Sequence, residues 1–296
     1  MHVIALVKHV PDIQSARSFT ASGLLARGGP DDTLNELDED CLEAALRIVE
    51  AVPSTVADED DDGSRADPGA AHPVGHRVDH RVTALTVGPP AAVGALRRAL
   101  AMGATSAVHV CDEAIAGSDA IATARVIAAA VEHLHAEHPV DVVIAGMAAL
   151  DGLTSLVPSA VSALLDWPQL TLADRVSVTS QAGRTTVRAR RVTAHHVEEL
   201  QAPAPVVVSV TDATFRPRSP DMRGLLAARR KPVTVLDLAA LGLEPASVGR
   251  AGSATRVLEA TPRPERSDAV RLTGGPGLAP ELAAELAGHL AQRGFC

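Results

Sequence analysis

Four short polar segments stand at the ends of predicted secondary-structure elements, where a ligand could be bound. In an open α/β sheet, ligands bind outside the carboxyl ends of the strands, and helix N-termini there direct backbone N–H groups toward an anion. These segments could therefore form one pocket for a phosphate or a nucleotide. A plainer interpretation also stays open, in which Gly88 and Gly146 are only turn glycines. The segments are 8–13, 35–38, 87–89 and 146–155.

The usual phosphate-binding and catalytic motifs are absent from the sequence. No GxGxxG follows the first predicted strand and no GxxxxGK[ST] occurs, so neither a Rossmann dinucleotide site nor a P-loop is predicted. Ser155 and Ser159 have no partner histidine at a recognisable spacing. His195 and His196 are adjacent on a predicted strand and would face opposite sides, which favours an exposed polar edge over a catalytic dyad. Asp151 could orient a ribose or a loop.

Short β-branched runs alternate with longer stretches rich in Ala and Leu, which is typical of strand-helix units around a parallel sheet. We therefore predict an α/β fold: a parallel-sheet, nucleotide-binding-like core with an appended antiparallel hairpin and an extended C-terminal arm. The hairpin follows from the alternation within 175–200, and Asn35 is predicted to cap a helix. The core covers 1–232. The arm covers 233–296 and ends in an amphipathic helix that packs on a partner subunit.

A segment at about 54–80 differs in composition from the rest of the core. The acidic run Asp58–Asp62 is followed by Pro, Gly, Ala and His without apolar periodicity. Such a segment cannot bury enough apolar surface to offset its ordering entropy, so we predict a flexible acidic insertion. His72, His76 and His80 are interpreted as solvated loop residues rather than ligands, and no metal site is predicted.

Composition excludes several classes of protein. The chain has 27 Lys and Arg residues against 36 Asp and Glu residues, a net charge of −9, so it lacks the basic excess of a general nucleic-acid binder. Aromatic residues make up 1%, so the core must be aliphatic. Three isolated cysteines fit a reducing compartment. No apolar stretch reaches the roughly 18 residues that span a bilayer, so we predict a cytoplasmic protein without membrane insertion.

Several ordered segments together resemble the β subunit of electron transfer flavoproteins. They extend from the N-terminus to about Gly249, apart from the acidic insertion, and are therefore far more specific than a single motif. The segments are Val7–Asp12 (VKHVPD), Asn35–Leu46 (NELDEDCLEAAL), Val82–Pro89 (VTALTVGP), Leu96–Ala104 (LRRALAMGA), Gly117–Ala120 (GSDA), Asp141–Asp151, Leu165–Gln169 (LDWPQ) and Arg216–Pro232.

The resemblance implies a redox carrier rather than a stand-alone enzyme. Proteins of this family pair with an α subunit that holds most of an FAD, while the β subunit shapes one side of the flavin and often holds a structural AMP. In bifurcating relatives a second FAD takes the place of AMP. Carried over by position, Ile13 and Leu37 would face the flavin. The AMP-type contacts would be Leu6, Asn35, Glu36, Leu37, Asp38, Val87, Gly146, Asp151, Thr154, Ser155, Leu156 and Val157.

The loop after Gly146 departs from the family's usual Asp-Gly-Asp-Thr-Gly-Gln. Apolar residues replace hydrogen-bonding side chains there, and a proline removes one amide. Thr154, Ser155 and the helix-terminal amides remain as phosphate donors, so AMP, a second FAD and a nucleotide-free pocket all stay open. The replacing residues are Met147, Leu153, Leu156, Val157 and Pro158.

Residues 216–231 resemble the family's recognition loop, through which an apolar side chain holds partner dehydrogenases. By position this anchor is Met222, whose flexible thioether suits a shallow pocket. The alternative is a methionine packed locally. The flanking Arg216, Arg218 and Arg223 would steer acidic partners.

The sequence thus predicts an electron-carrier subunit. It would accept electrons from a partner dehydrogenase through FAD held mainly by the α subunit and pass them to a downstream acceptor. Two alternatives stay open. One is a nucleotide-free scaffold that stabilises its partner, which the altered loop favours. The other is an ATP-using enzyme on a related core, for which the sequence offers no phosphate loop or acid/base pair.

Overall fold

Parallel strands form the central sheet of the computed structural model, which describes residues 1–52, 80–181, 183–261, 264 and 269–295. In chain order, the described residues contain the strands β1 (His2–Leu6), β2 (His9–Pro11), β3 (Asp32–Leu34), β4 (Arg81–Val87), β5 (Ser106–Val110), β6 (Val142–Gly146), β7 (Gln169–Ala173), β8 (Arg175–Gln181), β9 (Arg184–Val192), β10 (Val197–Pro203), β11 (Val206–Val210) and β12 (Thr234–Leu236). The central sheet has the order β12-β5-β4-β1-β6-β11-β7, and every neighbouring pair is parallel.

Helices cover both faces of this sheet. The described α-helices are α1 (Glu36–Ala51), α2 (Val93–Met102), α3 (Ala120–Glu137), α4 (Val157–Leu165), α5 (Met222–Arg230), α6 (Gly249–Gly252) and α7 (Ala279–Gln292). In β1, Val3 and Ala5 are buried with α1 and α2, whereas Ile4 and Leu6 are buried with α3 and α4. Strands covered on both sides can be apolar throughout, as β1, β6 and β11 nearly are.

A second, antiparallel sheet of order β10-β9-β8 is attached to the α1 side. Val187 and Ala189 are buried in the same cluster as α1, and Val176 and Val178 pack against that cluster. This alternation confirms the predicted hairpin, which contains three strands. The predicted α/β class with a parallel sheet is confirmed as well.

The chain forms two compact units, and the boundary between them lies in its C-terminal part. Residues Met1–Leu258 form the first unit, which includes β12 at the edge of the sheet, and Glu259–Cys296 form the second, which contains α7. The predicted arm and its packing on a partner stay predictions. Residues 54–79 of the predicted acidic insertion lie outside the described residues. In the part of the chain that is described, no helix is both long and apolar enough to cross a membrane.

Candidate functional site

The carboxyl ends of three neighbouring strands bring the predicted segments together. β4, β1 and β6 are adjacent in the sheet, so Val87, Lys8 and Gly146 lie at one edge. The start of α1 packs directly on this edge. A Cβ atom added to Gly146 would lie 2.5 Å from the backbone oxygen of Leu37 and 2.7 Å from Oδ1 of Asp38. Only glycine permits so close an approach, so Gly146 has a packing role beyond that of a turn residue.

Asn35 connects the start of α1 to the loop after β6. Its Nδ2 donates to the backbone oxygen of Ala148 at 3.0 Å, and its Oδ1 accepts from the N–H of Leu150 at 3.0 Å. The side chain is fully buried and makes no capping hydrogen bond to α1. The predicted helix cap is therefore wrong in its side-chain role, because both amide atoms are used to hold the 148–150 backbone instead.

Asp38 lies beneath the same edge. Its carboxylate accepts the backbone N–H of Lys8 at 2.8 Å, and the side chain is buried. Burial raises the pKa of Asp38 to about 7, although the hydrogen bond from Lys8 favours the ionised form. Asp38 therefore changes protonation near neutral pH and joins the end of β1 to α1.

We expect the Asp38→Asn variant to change how stability depends on pH. Between the ordinary pKa of 3.8 and about 7, folded wild type holds a proton that the unfolded chain has lost. Wild-type stability therefore falls as pH rises through this window, by about 1.4 kcal/mol per pH unit, and is then constant. Urea denaturation across this window should show the variant gaining stability relative to wild type. A difference that does not change with pH would contradict the assignment.

Asp151 is the most strongly held residue of the loop. Its Oδ1 accepts from Nζ of Lys8 at 2.8 Å and its Oδ2 accepts from Nε of Arg27 at 2.7 Å, while the carboxylate side chain is 0% exposed. Burial alone would raise the pKa of Asp151, but the charges and hydrogen bonds of Lys8 and Arg27 outweigh it and hold the pKa below its usual value. Of its two predicted roles, the geometry favours orienting the loop over binding a ribose.

The next part of the loop presents open hydrogen-bond donors. Thr154 and Ser155 are exposed, and their hydroxyls make no hydrogen bond to the described residues. The backbone N–H groups of residues 154–157 likewise have no acceptor in the described chain, and they lead directly into α4. Leu153 and Ser155 both have a φ of 50°, a left-handed conformation that costs a non-glycine residue about 1 kcal/mol or more. The exposed donors are suited to an anion.

The residues predicted to face the flavin are accessible. Ile13 is exposed and Leu37 is half-buried, while Glu36 beside it is exposed. Leu6 is buried in the sheet and makes its side-chain contacts in the core rather than at the edge. The accessible groups among the predicted site residues thus include aliphatic side chains and the loop donors.

The predicted partner surface lies on α5. Met222 is the first residue of this helix and is 70% exposed, and Asp221 caps the helix by accepting the N–H of Gly224 at 2.6 Å. Arg218 is not free to steer a partner, because its guanidinium is paired with Glu43 at 2.7 Å and with Glu50 at 2.7 Å. Arg216 and Arg223 make no ion pair within the described residues.

Two residues that hold predicted site residues in place were missed by the sequence reasoning. Arg27 lies in the segment between β2 and β3 and pairs with Asp151, which is 124 positions later in the chain. Glu43 on α1 pairs with Arg218, which is 175 positions later. No local motif marks such pairs. His195 and His196 are exposed, but they lie in the turn between β9 and β10, so their predicted position on a strand is wrong. No metal-binding group of His, Cys, Asp and Glu occurs among the described residues.

Comparison with known proteins matches the sequence to a protein family. Residues 69–241, more than half of the chain, match the model of the electron transfer flavoprotein domain. The chain belongs to the electron transfer flavoprotein family, which confirms the resemblance read from its motifs.

Relatives of this chain include proteins named electron transfer flavoprotein subunit beta. The chain is 35% identical over 273 residues to the electron transfer flavoprotein subunit beta of Mycobacterium tuberculosis H37Rv, covering 92% of both chains. It is 30% identical over 270 residues to the corresponding subunit of Megasphaera elsdenii, covering 90% of this chain and 89% of the other. Subunit CarD of the caffeyl-CoA reductase-Etf complex of Acetobacterium woodii is 28% identical over 274 residues, covering 93% and 92%.

Proposed function

We propose that this chain is the β-type subunit of an electron carrier. It would pair with an α subunit that holds most of an FAD, accept electrons from a partner dehydrogenase and pass them to a downstream acceptor. The observation that carries this proposal is the similarity to an electron transfer flavoprotein subunit beta over 92% of both chains. In this role the chain is an electron transfer protein and has no catalytic residue of its own.

The aliphatic edge suits one side of a flavin. When bound, FAD supplies the redox chemistry. Ile13 and Leu37 offer exposed or half-exposed apolar surface and no hydrogen-bond donor in their side chains. They would exclude water from that side without polarising the ring, so this chain's contribution is packing and docking.

The loop donors fit the phosphate of AMP. Open N–H groups at residues 154–157, two exposed hydroxyls and the start of α4 supply donors of the kind that bind phosphate at helix N-termini. We therefore propose that AMP binds, as a structural nucleotide, to this loop beside the start of α1. Apolar Leu153 and Leu156 are the exposed departures from the family pattern in this loop.

The nucleotide content of the two-chain complex tests this proposal. The chain would be co-expressed with the α subunit of the same organism, and the heat-released nucleotides of the purified complex would be separated by chromatography. One FAD and one AMP per heterodimer are expected. Two FAD molecules would place a flavin in the pocket, FAD alone would support a nucleotide-free pocket, and failure of the two chains to associate would overturn the carrier assignment.

The surface of α5 supports a partner-binding role. Met222, Leu225 and Leu226 are exposed on one short helix that carries basic residues at its end. This helix is fixed on α2, because a Cβ atom on Gly224 would lie 2.6 Å from the backbone oxygen of Ala101. Arg97 also donates to the backbone oxygens of Ala228 and Lys231 at the end of the helix. A preorganised apolar surface loses little entropy on binding.

Replacing Met222 with alanine should weaken partner binding without unfolding the chain. Truncation of a central apolar anchor costs about 2 kcal/mol or more, which is about thirtyfold in Kd. Titration calorimetry of the heterodimer with its dehydrogenase would measure this change. Leu258→Ala is the matched control, since Leu258 is still more exposed than Met222 and is absent from α5. If wild type and Met222→Ala bind the dehydrogenase with equal affinity, Met222 is not part of the interface.

A further inference from the structure

We infer that Lys8 and Arg27 are the charged contacts of the nucleotide phosphate and that Asp151 is the positioning residue that holds them. This inference rests on the proposed AMP site and adds two cations to it. The neutral donors of the loop do not balance the charge of the phosphate. AMP carries a phosphate dianion at neutral pH, whereas backbone amides and hydroxyls carry no net charge.

The buried carboxylate fixes both cations at the start of the loop. Asp151 opens the segment whose later residues present the free donors, and each of its oxygens takes one cation, at 2.8 Å from Lys8 and 2.7 Å from Arg27. Lys8 is held a second time, since its backbone N–H donates to Asp38 at 2.8 Å. Asp151 therefore fixes both cations at a position three residues before Thr154, the first residue with free donors.

Both cations keep donors available. The side chains of Lys8 and Arg27 are 40% and 42% exposed. Arg27 uses only Nε toward Asp151, and its two Nη groups make no hydrogen bond to the described residues. Lys8 uses one of its three N–H donors for Asp151. The two cations and Asp151 together carry a net charge of +1, and Asp38, which accepts the backbone N–H of Lys8, adds a negative charge only when it is ionised.

The charged cluster would compensate for the side-chain hydrogen-bond donors that this loop lacks. Leu153 and Leu156 are exposed in this loop, and their side chains cannot donate a hydrogen bond to a phosphate. Charge-assisted hydrogen bonds from a lysine and an arginine are about twice as strong as neutral ones. Two such contacts would restore the affinity that the apolar substitutions remove.

Exchange of bound AMP in the heterodimer tests the inference. Isotope-labelled AMP would be added in excess to the purified complex, and its incorporation would be followed with time. We expect Arg27→Gln to speed exchange about tenfold to a hundredfold, as loss of a charged hydrogen bond predicts. Arg27→Lys, which keeps the charge, should restore part of the difference. Arg17→Gln is the matched control, because Arg17 is exposed in the same segment and has no partner in the described residues.

The Asp151→Asn variant distinguishes two roles of Asp151, because positioning the cations and repelling the phosphate predict opposite changes in the rate of AMP exchange. If Asp151 positions the cations, its neutralisation should release them and speed exchange of AMP. If it only repels the phosphate, the same change should slow exchange. Thermal unfolding of each variant complex would show that the fold persists, and Lys8→Met should act in the direction of Arg27→Gln.

The outcomes distinguish this inference from the function on which it rests. A wild-type complex that contains FAD but no AMP and takes up no labelled AMP would overturn the AMP site and the inference together. A complex that holds AMP but exchanges it equally fast in wild type, Arg27→Gln and Lys8→Met would overturn the inference alone. Slower exchange in Asp151→Asn would overturn the positioning role.

Discussion

The Gly146→Ala variant is expected to lose about 3 kcal/mol of its free energy of unfolding and to release the nucleotide that we propose for this edge of the sheet. The added Cβ would meet two backbone or carboxylate oxygens, at 2.5 Å and 2.7 Å, and neither belongs to a flexible side chain that could move away at little cost. Relief would require the start of α1 to separate from β6. Overpacking of this kind costs typically about 1–3 kcal/mol, and a clash with backbone lies at the upper end.

Gly152→Ala is the control for this prediction. Gly152 lies in the same loop, has no positive φ, and a Cβ there would meet no heavy atom within 4 Å. Its stability should change by no more than about 0.5 kcal/mol. Urea denaturation followed by the fluorescence of Trp167, the single tryptophan of the chain, would measure both variants. Equal stability of Gly146→Ala and Gly152→Ala would contradict the close packing of α1 on β6.

The Glu43→Gln variant is expected to lose about 3 kcal/mol at neutral pH. The Glu43 side chain is 0% exposed and accepts from Arg218 and from Arg47, each at 2.7 Å. Breaking a buried ion pair from one side costs about 3–5 kcal/mol, and the partial exposure of both arginines sets the expected loss at the lower end. This loss would also free the segment that leads from β11 to α5.

The pH dependence of this loss gives an independent check. Burial alone would raise the pKa of Glu43, but the hydrogen bonds of Arg218 and Arg47 hold it below its ordinary 4.5. The stabilisation is therefore present above about pH 4.5 and is lost as pH falls through the lower folded pKa. The difference between wild type and Glu43→Gln should shrink in that acidic window.

Glu39→Gln serves as the control on the same helix. Glu39 pairs with Arg98 at 3.1 Å, but both side chains are partly exposed. Exposed pairs contribute about 0.2–1 kcal/mol, so this variant should stay close to wild type. A Glu43→Gln variant no less stable than Glu39→Gln would show that the buried network does not hold the α5 segment.

The order of strands and helices could be predicted because each element carries its own pattern. The apolar run of β6 and the Ala-rich helices indicate a sheet covered on both faces, and the alternation in β9 indicates a half-exposed sheet. The convergence of Lys8, Val87 and Gly146 at one edge follows from the parallel arrangement of their strands. These inferences need only local sequence and general rules of topology.

Side-chain partnerships could not be predicted in the same way. Asn35 has the residue type and position of a helix cap, yet its amide holds the backbone 113 and 115 positions away. Arg218 lies in an arginine-containing loop, as a steering charge would, yet its guanidinium is paired with Glu43 and Glu50. Such pairings depend on which distant elements pack together. A short segment of the sequence does not contain this information.

An anaerobic reductive titration of the purified heterodimer tests the central claim most directly. The absorbance spectrum of the complex of this chain with its α subunit would be followed as reductant is added and then as an electron acceptor is supplied. An electron-carrier subunit predicts an oxidised flavin band that bleaches with reductant and returns with the acceptor. A stable two-chain complex without flavin, or with flavin that does not pass its electrons on, would contradict the proposed function.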